Sequence, residues 1–198
     1  MQGRAVAEQW DPARDAASAE QCRPFGAAGL MRMPLRLHVT WADENTLSIE
    51  TDAGEQTRLL HFDAATTAPA ERSWQGFSRA RWTQPPPGGF DLRVALGGPP
   101  PGPAGPPKGS VKAVTTQLLA GYLRKNGLPY SENAELTEYF SRVSAFDHEY
   151  LTVLTIVHDP MYLATDFVTS SQFKREPDDA RWNPSPCRTA PPLASAGD

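Results

Sequence analysis

From Leu35 onward, hydrophobic residues recur at every second position. Leu35, Leu37, Val39 and Trp41 fall on one side, and Arg36, His38 and Thr40 on the other. An extended chain points successive side chains to opposite faces, so this alternation predicts a half-buried strand. Residues 42–45 suit a tight connection to a second strand over 46–51, with Leu47 and Ile49 on one face. Asp52-Ala53-Gly54 is a turn, and residues 57–62 read as a third strand. The three predict an antiparallel meander with short loops. Residues 74–82 (WQGFSRARW) predict a fourth strand, which Gly76 weakens or bulges.

The second half repeats the pattern. Strands are predicted over 110–118, 136–143, 150–158 and 167–174, although the Leu and Glu content of 136–143 also suits a helix. YLTVLTIVH at 150–158 is the densest in β-branched residues, which suit a pleated surface. About eight strands at short spacing with few helices predict an all-β fold, a lipocalin-like antiparallel barrel or strongly curved sheet. Closure removes the edges through which open sheets aggregate, and a two-sheet sandwich is the alternative. Between the fifth and sixth strands, Leu119, Tyr122 and Leu123 have helical spacing, whereas Asn126-Gly127 signals a hairpin turn. Both readings stay open for that segment.

Residues 1–33 look different. Residues 4–10 suit a short helix. Asp11 followed by Pro12 is the cap-and-first-turn arrangement of another, predicted over 12–21 in the Ala- and Glu-rich run that follows. The domain reading is a helical segment at 1–33, a β domain at 34–187 and a flexible tail at 188–198. The β domain is interrupted at 84–109, where residues 85–109 hold nine prolines and seven glycines. Such a run lacks backbone donors and packable side chains, so a disordered insertion is expected there. FDLRVAL within it is a candidate edge strand, and the prolines are a candidate polyproline ligand.

Composition narrows the function. Lys and Arg total 19 against 23 Asp and Glu in 198 residues, for a net charge of -4. That balance lacks the basic patch of a nucleic-acid binder. No stretch approaches the roughly 20 apolar residues of a membrane span. Cys22 and Cys187 are too far apart for a redox CxxC pair, and two cysteines alone do not make a zinc site. In an oxidising compartment they would tie the chain's ends together; in the cytosol they would be free thiols. The four histidines, His38, His61, His148 and His158, have no HxH or HExxH spacing, although His38 and His61 are placed to meet across neighbouring strands. His158-Asp159 is a candidate orienting pair without a nucleophile motif. No phosphate-binding glycine loop is present, and no metal or cofactor is expected. Glu132, Glu135 and Glu138 are candidate acid and base groups.

Several longer stretches carry a resemblance. They include GRAVAEQWDPARDAASAEQC, PFGAAGLMRMPLRLHVTW, GYLRKNGLPYSENAELTEYF, TIVHDPMYL and FKREPDDARWNPSPC. Over nearly the whole chain outside the insertion, these resemble an uncharacterised family of exported bacterial proteins. Its members carry a signal peptide and a tryptophan-rich segment upstream. Residues 1–4 have no charged, apolar or cleavage region of a leader. The resemblance therefore implies that Met1 is internal to a longer product, which is periplasmic or extracellular with Cys22 and Cys187 bonded. A native start at Met1 implies a cytoplasmic protein with reduced thiols.

Two function classes follow, and a third rests on the proline run as an interaction module. The first is a barrel that binds a small hydrophobic ligand, lined by Trp41, Phe62, Trp74, Trp82, Tyr122, Tyr130, Phe140 and Phe167. The candidate binding residues are Trp41, Trp82, Tyr122, Arg124, Asn126, Tyr130 and Glu138. The second is a hydrolase or isomerase using carboxylate and tyrosine groups within 122–138.

Overall fold

The computed structural model describes residues 2–18, 20–83, 109–124 and 126–187. The expected insertion (apart from Gly109), its FDLRVAL strand and the tail lie outside them. Short helices α1 (Gln2–Glu8), α2 (Pro12–Ala17) and α3 (Ala27–Leu30) come first, with a 3-10 turn at Arg23–Phe25 before α3. The sequence predicts α2 to run to residue 21. It stops at Ala17, where the Ser18 hydroxyl turns back onto the Arg14 carbonyl (2.9 Å). Its start is as expected, with the Asp11 carboxylate accepting from the Ala13 amide at 2.9 Å.

The rest is β. The strands are β1 (Leu37–Asp43), β2 (Thr46–Thr51), β3 (Ala53–Gly54), β4 (Thr57–His61), β5 (Phe77–Thr83), β6 (Ser110–Thr116), β7 (Gly121–Tyr122), β8 (Pro129–Tyr130), β9 (Glu135–Ala145), β10 (His148–His158), β11 (Phe167–Lys174) and β12 (Ser185–Pro186). Among the described residues, eight of them form one sheet in the order β1-β2-β4-β5-β6-β9-β10-β11. The sheet curls into a half-barrel. Among the described residues β1 and β11 stay apart as edges, so of the two expected forms the sheet is the strongly curved one rather than a closed barrel.

One strand departs from the antiparallel expectation. The meander β1-β2-β4 is antiparallel as predicted, but β5 runs parallel to β4, with Leu60 opposite Ser78. Residues 62–76 form a connection long enough to return the chain to the sheet end it left, which is what a parallel pair requires. The predicted strand at 74–82 starts late for the same reason. Gly76 has a φ of 63°, and a side chain there would run into the Thr116 carbonyl. The chain can therefore enter β5 only after it.

The ambiguous segment after β6 is a hairpin of β7 and β8, not a helix. Gly127 has a φ of 75° and lies directly under the Trp10 ring. A further turn had no signal in the sequence. Phe146 and Asp147 join β9 to β10 with φ of 51° and 61°, values that usually call for Asn or Gly.

The concave face holds the core. Ile49, Leu60, Ala80, Val111, Ala113, Phe140 and Val153 meet Met31 there. Ala27 and Ala28 cover Leu118, Leu136 and Val157 nearby. The N-terminal segment thus plugs the half-barrel, and its small side chains let the α3 backbone sit close to the sheet. Cys22 and Cys187 are disulfide-bonded with a Cα separation of 5.0 Å. Beside them β12 pairs in parallel with β3, so the last described residues are fixed to the turn after β2.

The bond closes a sequence separation of 165. In the chain-entropy picture, a loop of that length constrains the unfolded state by about 5 kcal/mol. Urea unfolding of a Cys22→Ser/Cys187→Ser variant is expected to show a loss of about 2–5 kcal/mol.

Candidate functional site

The residues singled out from the sequence occupy three places rather than one. The first is the interior of the half-barrel. Arg58 on β4 and Glu138 on β9 are both fully buried and form an ion pair at 2.6 Å. The same Arg58 nitrogen donates to the Thr115 hydroxyl at 3.3 Å. Thr115 in turn shares a hydrogen bond with Ser78 at 2.8 Å, and Thr155 donates to Glu138 at 3.5 Å. Five strands contribute to this polar belt, which lies between the two apolar clusters. Glu138 is thus engaged by a cation that was not singled out from the sequence. The charge of Arg58 reads as solvent-facing, although its position two residues before Leu60 and opposite Ile49 puts it on the core face of β4.

Tyr130 is also fully buried, with its ring end against the backbone of Gly26 and Gly121. Burial pushes its ionisation well above the ordinary tyrosine range, against the opposing charge of Arg58. Its hydroxyl has no hydrogen-bond partner among the described residues.

The second place is the junction between the N-terminal helices and the β7–β8 hairpin. The Tyr122 hydroxyl donates to Asp15 at 3.0 Å, and the Trp10 indole donates to the other oxygen at 2.9 Å. The Arg23 guanidinium lies 4.9 Å over the Tyr122 ring. Burial, with the Asp15 bond added, pushes the Tyr122 hydroxyl up to about 12 despite Arg23. Arg124 is exposed and covers the Phe167 ring at 5.6 Å. Exposed Asn126 accepts from the Leu128 amide at 3.4 Å, a turn contact within the hairpin. These groups hold segments together and do not converge on an enclosed space.

The third place is the opposite end of the sheet. Trp41, Phe62 and Trp82 form a row, with ring centroids 5.4 and 5.7 Å apart. Trp41 is 51% and Trp82 62% exposed, so the row presents ring faces and edges to solvent. Alternation along β1, β4 and β5 puts all three on the concave side, just beyond the Met31 and Leu60 core. Phe62 was assigned to the aromatic set but not to the site, yet it is the ring that joins the two tryptophans. The rest of the set is elsewhere: Phe140 is in the core and Trp74 is half-buried.

The other chemical candidates are occupied. His38 and His61 do not meet. Their strands lie on opposite sides of β2, where His38 faces Glu50 at 3.3 Å and His61 stacks on Phe77 at 5.0 Å. His158 is oriented by Asp166 at 2.8 Å instead of Asp159. Asp159 is buried and accepts from the Ser131 amide and hydroxyl at 2.6 and 2.8 Å. Glu132 and Glu135 line an open recess of about 250 Å³ with Arg72. That arginine is already bound to the Glu132 and Leu118 carbonyls at 2.7 and 3.3 Å. Among the described residues, no three acidic, His or Cys side chains gather to hold a metal ion, and no helix is long and apolar enough to cross a membrane.

No protein-family model, curated protein or solved structure matches this chain.

Two expectations follow. Glu138→Ala leaves the Arg58 charge buried without its partner, and chemical denaturation should show a loss of about 3–5 kcal/mol. Arg58→Met with Glu138→Leu removes both charges and should cost far less. Secondly, Tyr122 keeps its proton in the folded state up to about 12, whereas an unfolded tyrosine loses it near the ordinary value of 10.0. The folded state then binds more protons than the unfolded one over that window. Stability from this group is full below pH 10 and is lost as the pH rises toward 12. The urea midpoint as a function of alkaline pH checks it.

Proposed function

We propose that this chain is an exported binding module that takes a small hydrophobic ligand on the Trp41–Phe62–Trp82 row. One observation carries the reading: two tryptophans more than half exposed are held in register by a rigid sheet, with a phenylalanine between them. Large aromatic side chains exposed in a contiguous row mark interaction surfaces more often than scattered ones do. Their rings offer flat apolar area with little rotamer entropy to lose on binding. The site belongs at the open end, because α3 and Met31 fill the concave interior that a barrel ligand would occupy.

The disulfide supports a location outside the reducing cytosol. It agrees with the exported-family resemblance, and a periplasmic or extracellular address is part of this proposal. The alternative of carboxylate and tyrosine catalysis draws no support from the geometry. Glu138 is sealed against Arg58, Tyr130 is sealed behind the N-terminal segment, and Tyr122 is engaged by Asp15.

Titration with the fluorescent apolar probe 1-anilinonaphthalene-8-sulfonate tests the reading. The oxidised chain is expected to bind it, and Trp41→Ala or Trp82→Ala to weaken binding by about tenfold, the equivalent of ~1.4 kcal/mol. Equal binding by a variant lacking both tryptophans would move the site elsewhere.

A further inference from the structure

The open end carries a second exposed aromatic group. Phe146, at the tip of the β9–β10 hairpin, is 93% exposed. It sits with Asp147 in the left-handed backbone region, which a bulky residue adopts only at a cost. A turn that keeps a strained, fully exposed phenylalanine where Asn-Gly would relax is a reason to look for a partner of that ring. The topology places it well. β1, β4, β5, β9 and β11 all run toward the same end of the sheet, so the hairpin tip and the Trp41–Phe62–Trp82 row share one end.

The two features also differ in charge. Arg142, Lys174 and Arg175 lie behind Phe146, with Glu149 held between the two arginines and Asp147 at the tip. These five side chains sum to one positive charge. Asp43 and Glu44 on the β1–β2 hairpin and Asp63 after β4 flank the aromatic row, with Arg79 and Arg81 on the convex side of β5, Arg79 donating to the Ala64 and Thr66 carbonyls beside Asp63. Those five sum to one negative charge.

Resting on the reading of the aromatic row as a binding surface, we infer that without its small ligand the row is covered by Phe146 of a second copy of this chain, which the ligand must displace. Each copy offers a ring on a basic hairpin and an aromatic row with acidic flanks, both at one end. A two-fold axis through that end satisfies both at once and closes the assembly, as an isologous contact must. With Phe146, Trp82 and Trp41 at 93%, 62% and 51% exposure, and roughly 150–250 Å² per large ring, the aromatic groups supply on the order of 400 Å² per copy. That is about half of the ~800 Å² per partner of a standard stable interface. The rest would have to come from the hairpin tips around them.

Sedimentation velocity of the oxidised full chain across a wide concentration range tests this. A monomer–dimer equilibrium is expected, weakened by added salt because opposite charges face each other. Phe146→Gly relaxes the turn, so it should keep or raise the thermal midpoint while weakening dimerisation by about tenfold or more. Trp82→Ala should weaken it similarly. A chain that stays monomeric at high concentration overturns the inference. So does a Phe146→Gly dimer as tight as the parent, or growth past the dimer into open chains. A monomer that still binds the anilinonaphthalene probe through its tryptophans loses only the second copy. A monomer that binds no probe loses the binding surface as well.

Discussion

The buried contact between Arg58 and Glu138 sets the shape of this molecule. In a flat sheet, β4 and β9 are three strand spacings apart, roughly 14 Å. An arginine side chain on one cannot reach a glutamate on the other across that span. The 2.6 Å contact exists because the sheet curls, and the curl is the arrangement in which both charges find a partner away from water. A buried ion pair adds little net stability compared with an apolar pair of the same volume. Its consequence here is geometric. A flatter sheet would separate the two charges, and a slip of β9 by one residue would turn Glu138 to the outer face and strand Arg58 in an apolar interior. Ser78, Thr115 and Thr155 extend the constraint to β5, β6 and β10, so five neighbouring strands share one register-sensitive belt.

The belt separates two ends with different chemistry. At one end, buried aspartates replace regular secondary structure as the organising element. Asp15 ties the N-terminal helices to the β7–β8 hairpin through Trp10 and Tyr122. Asp52 holds the approach to β1 through the Arg36 amide at 2.7 Å. Asp159 collects Ser131 and the Met161 amide. Each carboxylate accepts from backbone or side-chain donors that a loop would otherwise leave unpaired, which is how irregular chain can be buried at all. The Cys22–Cys187 bond completes that end. Among the described residues, the other end has no such set of internal ties. It shows aromatic rings to solvent on strand ends that the belt and core hold firmly.

This division explains why the aromatic inventory misled as a picture of one lined cavity. Rings at the tied end are consumed by the packing of the N-terminal segment. Tyr122 faces Asp15, Tyr130 fills space between glycine backbones, and Phe167 lies under Arg32 and Arg124. Among the described residues, the row of rings left exposed lies at the other end.

Alternation of side chains is a local property, so the strands of the meander and the β-branched strand β10 were legible from composition and period alone. So were the all-β class and the Asp11 cap of the second helix. Where the chain turns back is not local. The parallel β4–β5 pair and the open edge depend on which distant strand offers hydrogen bonds, and short-range pattern does not encode that, whereas the β7–β8 hairpin is local but its Asn126-Gly127 signal competed with the helical spacing of Leu119, Tyr122 and Leu123. The aromatic row was half visible, since Trp41 and Trp82 stand out, but Phe62 joins them only through the pairing of β4 with β5. Arg58 shows the limit most plainly. Its charge argues for water in any one-dimensional reading, and only a sheet curled far enough to bring Glu138 within reach makes the interior the better place for it.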